Sequence, residues 1–189
     1  QRQMCIRDRI AAVSSDQQAS VVGHSMGSLI AMSCAARYPD HVAKIALLGT
    51  SAPMPVSDVL LNAAMENDQA AVDMTNIWSH SAKGRLGSSE NPGLSNLHVG
   101  ERLLQHAGRD VLYTDLAACN GFQAETLAPV QQPALVIIGN DDKMTPPRAG
   151  MAVADGLTDV RQRQLAGCGH SMLSEKPNEV LDELAAFLV

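Results

Sequence analysis

Residues 19–40, ASVVGHSMGSLIAMSCAARYPD, leave the chain few ways to fold. A short run containing Val21 and Val22 leads into Gly23-His24-Ser25-Met26-Gly27, and residues rich in Ala, Met and Leu follow as far as Tyr38. β-Branched residues favour a strand, Ala, Met and Leu favour a helix, and Pro39 stops that helix. The segment therefore predicts a strand, a tight turn and a helix over 26–38. In that context Gly-x-Ser-x-Gly places Ser25 at the apex of the turn with its Oγ exposed. Glycines are expected at 23 and 27 because a Cβ at either would collide with neighbouring backbone. The turn also aims the start of the helix at Ser25, so that the Met26 N–H and the helix dipole can stabilise an oxyanion.

Other short apolar runs repeat the strand signal. Residues 43–48 (AKIALL) and 134–139 (ALVIIG) are bounded by turn residues and read as buried parallel strands, with a weaker strand at 160–165. After Pro177 the apolar positions Val180, Leu181, Leu184, Phe187 and Leu188 share one face of a closing helix. Between the second and third strands the chain has no strand-like run. Helices are expected there over 59–65, 70–78, 97–105 and 111–118, broken by a Gly-, Ser- and Pro-rich loop over 79–95. Trp78, Met54, Met65 and Met74 read as packing residues of that helical stretch.

Composition narrows the partners. The chain has 189 residues, enough for one domain, with 46% hydrophobic and 18% charged residues, as in a packed globular protein. Its 14 Lys and Arg against 20 Asp and Glu give a net charge of −6, the wrong sign for neutralising phosphates, so no nucleic acid is expected. No apolar run approaches the roughly 20 residues of a transmembrane helix, so no membrane partner is expected either. Cys5, Cys34, Cys119 and Cys168 are scattered without a C-x-x-C pair, which points to a reducing, cytoplasmic compartment and away from zinc. His24, His41, His80, His98 and His106 have no ligand spacing and read as surface or packing residues. Neither a metal nor a cofactor is implied.

Two further signals follow Ser25. Asp142 lies in GNDDKMTPP after a buried strand, and His170 lies in GCGHS ahead of the closing helix. A serine hydroxyl needs an imidazole to take its proton, and the imidazole needs a carboxylate to fix its tautomer. Ser25, Asp142 and His170 supply the three groups in the chain order Ser, Asp, His. Asp142 alone also fits a residue capping the turn before Pro146, and His170 alone fits an ordinary loop histidine.

With GHSMG, GNDDKMTPP and GCGHSMLSEKP in place, the chain resembles the α/β-hydrolase superfamily, and within it the small esterase, enol-lactonase and non-haem haloperoxidase-like group or the neighbouring carbon–carbon bond hydrolases. The resemblance implies an α/β fold with a parallel sheet and a helical lid. It implies a catalytic triad of Ser25, Asp142 and His170, with Met26 in the oxyanion hole. A serine at position 25 argues against the haloalkane dehalogenases and epoxide hydrolases of this fold, which carry aspartate there. The expected function is a serine hydrolase acting on a small-molecule carboxylic ester or enol-lactone through an acyl-enzyme on Ser25. The alternatives are carbon–carbon bond cleavage in a diketone and a receptor-like protein that binds ligand without turnover.

The expected organisation is a partial α/β-hydrolase core at 10–53 and 119–189, with a lid at 54–118. Residues 1–9, QRQMCIRDR, resemble a translated sequencing-adapter scar and are set aside as non-native. In the resembling fold the serine turn follows the fifth strand, so roughly 75 residues should precede it at ordinary element lengths. Only 24 do. The expectation is therefore the C-terminal half of such a sheet, lacking upstream strands and the second oxyanion N–H. Residues 10–18 would end the helix that leads into the first strand. Loss of one oxyanion donor costs on the order of 10²–10³ in turnover, so weak or absent activity is expected of the 189-residue chain.

Overall fold

The computed structural model describes residues 2–14, 17–87, 90, 92–124 and 129–189. Four strands form one parallel sheet in the sequential order β1 (Ala19–His24), β2 (Val42–Leu48), β3 (Ala134–Gly139) and β4 (Val160–Leu165). A parallel pair needs a crossover, and helices supply each one. α2 (Met26–Arg37) links β1 to β2, and α8 (Pro147–Asp155) links β3 to β4. α1 (Arg2–Val13) precedes β1 and packs on α2; the residues set aside at the start of the chain belong to it from residue 2 onward.

The two-residue period of a strand sorts the side chains between two layers. Ile45 and Leu47 of β2 join Val136 and Ile138 of β3 beneath α2 and α8, with Leu29, Met32 and Val153. Ala46, Leu48, Leu135 and Ile137 face the other way, against Leu165, Cys168, Met172 and Val180. That second layer is closed by α9 (Met172–Glu175) and by α10 (Pro177–Leu188), whose Leu184 and Phe187 pack on it. β4 forms where expected, yet it buries only Leu165 because it is a sheet edge.

The stretch between β2 and β3 is helical. α3 (Asp58–Met65), α4 (Gln69–Ser79), α6 (Asn96–His106) and α7 (Val111–Asn120) lie within a residue or two of the expected spans. The loop expected over 79–95 contains one more helical turn, α5 (Ala82–Arg85), because Ser81 Oγ accepts the Gly84 N–H at 3.1 Å and so nucleates it. Residues 88, 89 and 91 of that loop lie outside the described residues. Leu60, Ala64, Ala71 and Leu116 make a small core of their own, which Trp78 and Met74 join. Met54 instead belongs to the sheet core, and Met65 is 49% exposed, so the packing role expected for Met65 does not hold: α3 turns that position outward.

All four strands point the same way, so the segments after β1, β2, β3 and β4 emerge together at one edge of the sheet, where ligands of open α/β sheets bind. Ser25, Gly49, Asp142 and His170 are on those four segments. Among the described residues no helix is long and apolar enough to cross a membrane.

Candidate active site

Ser25 occupies a backbone conformation that a side chain rarely takes, with φ 54° and ψ −122°. Such strain, about 1–3 kcal/mol, persists only where the surroundings fix it. Here the Ser25 N–H donates to Leu48 O at 2.9 Å, and Ser25 O accepts from Ser28 N at 2.8 Å and from Ser28 Oγ at 2.6 Å. Ser28 Oγ in turn lies 2.8 Å from Thr50 Oγ1, which ties the turn to the end of β2. The two glycines of the motif are not equivalent. A Cβ on Gly23 would stand 2.1 Å from Gly27 O, whereas a Cβ on Gly27 would meet nothing within 4 Å. The collision expected at Gly27 is therefore absent: its carbonyl is the surface that closes on Gly23, while its own Cα faces open space.

Asp142 does both things its position allowed. Its Oδ1 caps the turn, accepting the N–H groups of Met144 and Thr145, each at 2.8 Å. Its Oδ2 faces His170 Nδ1 at 2.8 Å and accepts the Thr145 hydroxyl at 2.7 Å. Both partners are buried, with side-chain exposures of 1% for Asp142 and 6% for His170. Burial pushes the Asp142 carboxyl up, but the hydrogen bond and charge of His170, with the two bonds from Thr145, outweigh it and hold the group below its ordinary range. Oδ2 and Thr145 Oγ1, 3.2 Å away, both present oxygen to Nδ1, so in the neutral tautomer that nitrogen carries the proton and Nε2 the lone pair. Asp141 is exposed, and its N–H donates to Cys168 O at 2.8 Å.

His170 is seated by residues the sequence did not single out. Gly49, at φ +55°, lies under the ring, where a Cβ would come within 3.0 Å of Nδ1. His24, next to Ser25, lies tilted by 44° against the ring at 4.8 Å between centroids and points Nε2 at His170 O, 2.8 Å away. A carbonyl can only accept, so His24 Nε2 is the donor. Burial, followed by the proximity of His170, brings the His24 pKa down to about 4, so the ring is neutral near pH 7. Thr145 was legible as a polar residue three positions after Asp142, a common turn spacing. His24 had no such signal, being 146 residues away from its partner.

Ser25 follows His24, whose ring centroid lies 4.8 Å from that of His170, and among the described residues no hydrogen bond joins Ser25 Oγ to His170. Catalytic hydrogen bonds in unliganded sites are commonly long and tighten with substrate. Met26 opens α2 immediately after Ser25. Ser25 and Thr145 border a cavity of about 210 Å³, walled by Met54 and by Leu60, Trp78 and Leu116 of the inserted helices. Its lining is largely apolar, with Lys143 as its charged member. Cys168 is an unsuitable nucleophile: burial, then the charge of Glu175, pushes its thiol up to about 12. Among the described residues no group of His, Cys, Asp and Glu could hold a metal ion.

Comparison with known proteins gives the family and the fold. The family model described as serine aminopeptidase, S33 (Hydrolase_4) matches residues 3–177. A 2-hydroxy-6-oxononadienedioate/2-hydroxy-6-oxononatrienedioate hydrolase of a Pseudomonas species is 26% identical over 167 residues, covering 82% of this chain. The chain spans 57% of that relative's length. Among solved structures, a thermophilic esterase superposes with a TM-score of 0.83 at 24% identity, covering 98% of this chain and 71% of its own. The enol-lactonase from Burkholderia xenovorans LB400 gives a TM-score of 0.81 at 22% identity, over 95% of this chain and 68% of its own.

Proposed function

The chain belongs to this hydrolase family of α/β-hydrolase fold, and from that premise we propose that Ser25, His170 and Asp142 form the triad of a serine hydrolase acting on a small carboxylic ester or enol-lactone. The observation that carries the reading is the buried Asp142–His170 hydrogen bond at Nδ1, on the same edge of the sheet as a serine held at a strained turn. In the proposed reaction Nε2 takes the Ser25 proton as Oγ bonds to the substrate carbonyl carbon. The oxyanion is held by the Met26 N–H and the positive end of α2. As the tetrahedral adduct collapses, the carbon–oxygen bond to the leaving group breaks and the imidazolium returns its proton to that oxygen. Water, deprotonated by His170, then releases the acid and restores Ser25. Asp142 stays ionised throughout and stabilises the imidazolium.

Residues 10–53 and 119–189 act in this reading as the core, and 54–118 as a lid. Leu60, Trp78 and Leu116 would bring apolar walls over Ser25, which suits a substrate with a hydrocarbon acyl or alkyl part. The reading keeps the cytoplasmic compartment expected from the scattered cysteines. A second reading, hydrolysis of a carbon–carbon bond in a diketone, is favoured by the dienedioate hydrolase relative. Product analysis on paired ester and diketone substrates separates the two.

The test is covalent labelling by a fluorophosphonate probe, applied to the 189-residue chain and to a version extended upstream to the length of its relatives. Ser25→Ala is the control. Labelling at Ser25 that the substitution abolishes is the expected result. Ligand binding without labelling in either form would replace the hydrolase by a receptor-like protein.

A further inference from the structure

Glu175 is a buried carboxylate for which the chemistry at Ser25 has no use. It ends α9 five residues after His170, is 7% exposed, and has no cationic partner among the described residues. Lys176 beside it pairs with Glu90 and Glu179 instead. The oxygens of Glu175 accept backbone N–H groups from two segments, one 94 residues away and one only six. Ser81 N donates to Oε1 at 3.1 Å and to Oε2 at 3.2 Å, and Gly169 N donates to Oε2 at 3.3 Å. Ser81 caps α5 in the inserted segment, and Gly169 immediately precedes His170. The approach is close: a Cβ on Gly169 would stand 2.6 Å from Ser81 N and 2.7 Å from Glu175 Oε1.

The consequence lies in the backbone around His170. Three successive polar groups there are held from outside the loop: the Gly169 N–H by Glu175, the His170 carbonyl by His24, and the Ser171 N–H by Ser79 O at 2.8 Å. The first and third of these bonds lead to the same turn of the inserted segment, residues 79–81. A group that faces donors only must be an acceptor only, and among uncharged and charged side chains an ionised carboxylate alone offers two such oxygens. Glutamine would set its own NH₂ against one of the N–H groups. An ionised group buried without a cation is a costly way to fill space, so its backbone bonds must carry the benefit.

We propose that Glu175 is a positioning residue that couples the Ser79–Gly84 turn of the inserted segment to the His170 loop, so that the imidazole is seated against Asp142 only while that turn is docked. The loop's importance rests on the reading of His170 as the base. Closure of the inserted helices over substrate and alignment of the base thereby become one event.

Hydrogen–deuterium exchange on the native chain, Glu175→Gln and Glu175→Ala tests the coupling without recourse to turnover. Peptides covering 79–87 and 166–176 are expected to exchange faster together, by about tenfold or more, while peptides of β2 and β3 keep their protection. The Gln variant, which retains one acceptor, should show the same paired loss to a smaller degree. Fluorophosphonate labelling of Ser25 should slow at saturating probe by roughly 10- to 100-fold, with the half-saturating probe concentration little changed. The proposal is overturned if exchange rises in only one of the two loops, or if β2 and β3 lose protection in both variants. Absence of labelling in both the 189-residue chain and the upstream-extended chain would count against the hydrolase reading and leave the exchange data to decide the coupling.

Discussion

The inner strands of the sheet and the inserted helices are built differently. β3 buries all of its residues and β2 five of seven, whereas α6 buries only Asn96 and leaves Val99 and Leu103 in solvent. The residues proposed to handle protons, Ser25, Asp142 and His170, are on segments anchored to the sheet, where neighbouring backbone leaves little room for movement. Residues that wall the cavity, Leu60, Trp78 and Leu116, come from helices with a separate small core. Closely packed cores transmit displacement, and lightly packed segments open at lower free energy. The division puts precision on the sheet edge and adaptability on the inserted segment.

The largest expected effect contrasts a glycine from each region. Gly23→Ala should destabilise the chain by more than about 4 kcal/mol or prevent folding, since its Cβ meets Gly27 backbone that cannot retreat without undoing the serine turn. Gly87→Ala, at φ +86° in the inserted segment with nothing within 4 Å, should cost only about 1–2 kcal/mol of backbone strain. Denaturant unfolding of the two variants measures both. Equal costs would remove the distinction between the regions.

A leucine pair gives the next largest effect. Leu135 and Leu60 are almost wholly buried, at 0% and 1% exposure, so area alone predicts equal penalties. Leu135→Ala should fall near the top of the 2–5 kcal/mol range, because strands and α9 wall it in and cannot collapse. Leu60→Ala should fall near the bottom, because it enlarges a cavity that already exists, and it should raise KM for bulky esters more than it lowers kcat. Matching unfolding costs would mean that the two cores melt as one.

The smallest effect sharpens the picture of the sheet edge. His24 has a folded pKa of about 4, lowered from 6.5 chiefly by burial, so the unfolded chain binds the extra proton first as pH falls. Stability from this group is complete above pH 6.5 and is lost between pH 6.5 and about 4, amounting to roughly 2–3 kcal/mol after allowance for partial exposure. Asp142, depressed in the folded state, adds a further loss as the pH drops below its unfolded value of 3.8. In His24→Gln, whose amide can still donate to His170 O, the profile between pH 4 and 6.5 should flatten. A native profile already flat there would show that the sheet edge admits charge freely.

Much of the fold was legible because its signals are short in range. The β2 and β3 runs, the serine turn and the Pro-started closing helix each depend on sterics or periodicity within a few residues, and the expected and observed spans nearly coincide. The brief helix α5 escaped notice because four residues, Ala82–Arg85, are too few to show a period, and its cap, Ser81, is one serine among several in that loop. Gly27 misled for a related reason: two glycines placed symmetrically about Ser25 suggest the same crowding, but only the strand-borne one lies against backbone.

The candidate site divides along the same line. The sequence by itself determined the strands, the strained serine turn and the order in which Ser25, Asp142 and His170 follow one another, since local backbone preference and side-chain chemistry are properties of neighbours in the chain. Tertiary structure alone decided which atoms meet: Asp142 Oδ2 with His170 Nδ1 across 28 residues, Ser81 N with Glu175 across 94, and His24 with the His170 carbonyl across 146. Those contacts are made by four parallel strands ending at one edge and by helices folding back over it. No local propensity encodes that geometry, because it exists only once the layers have packed.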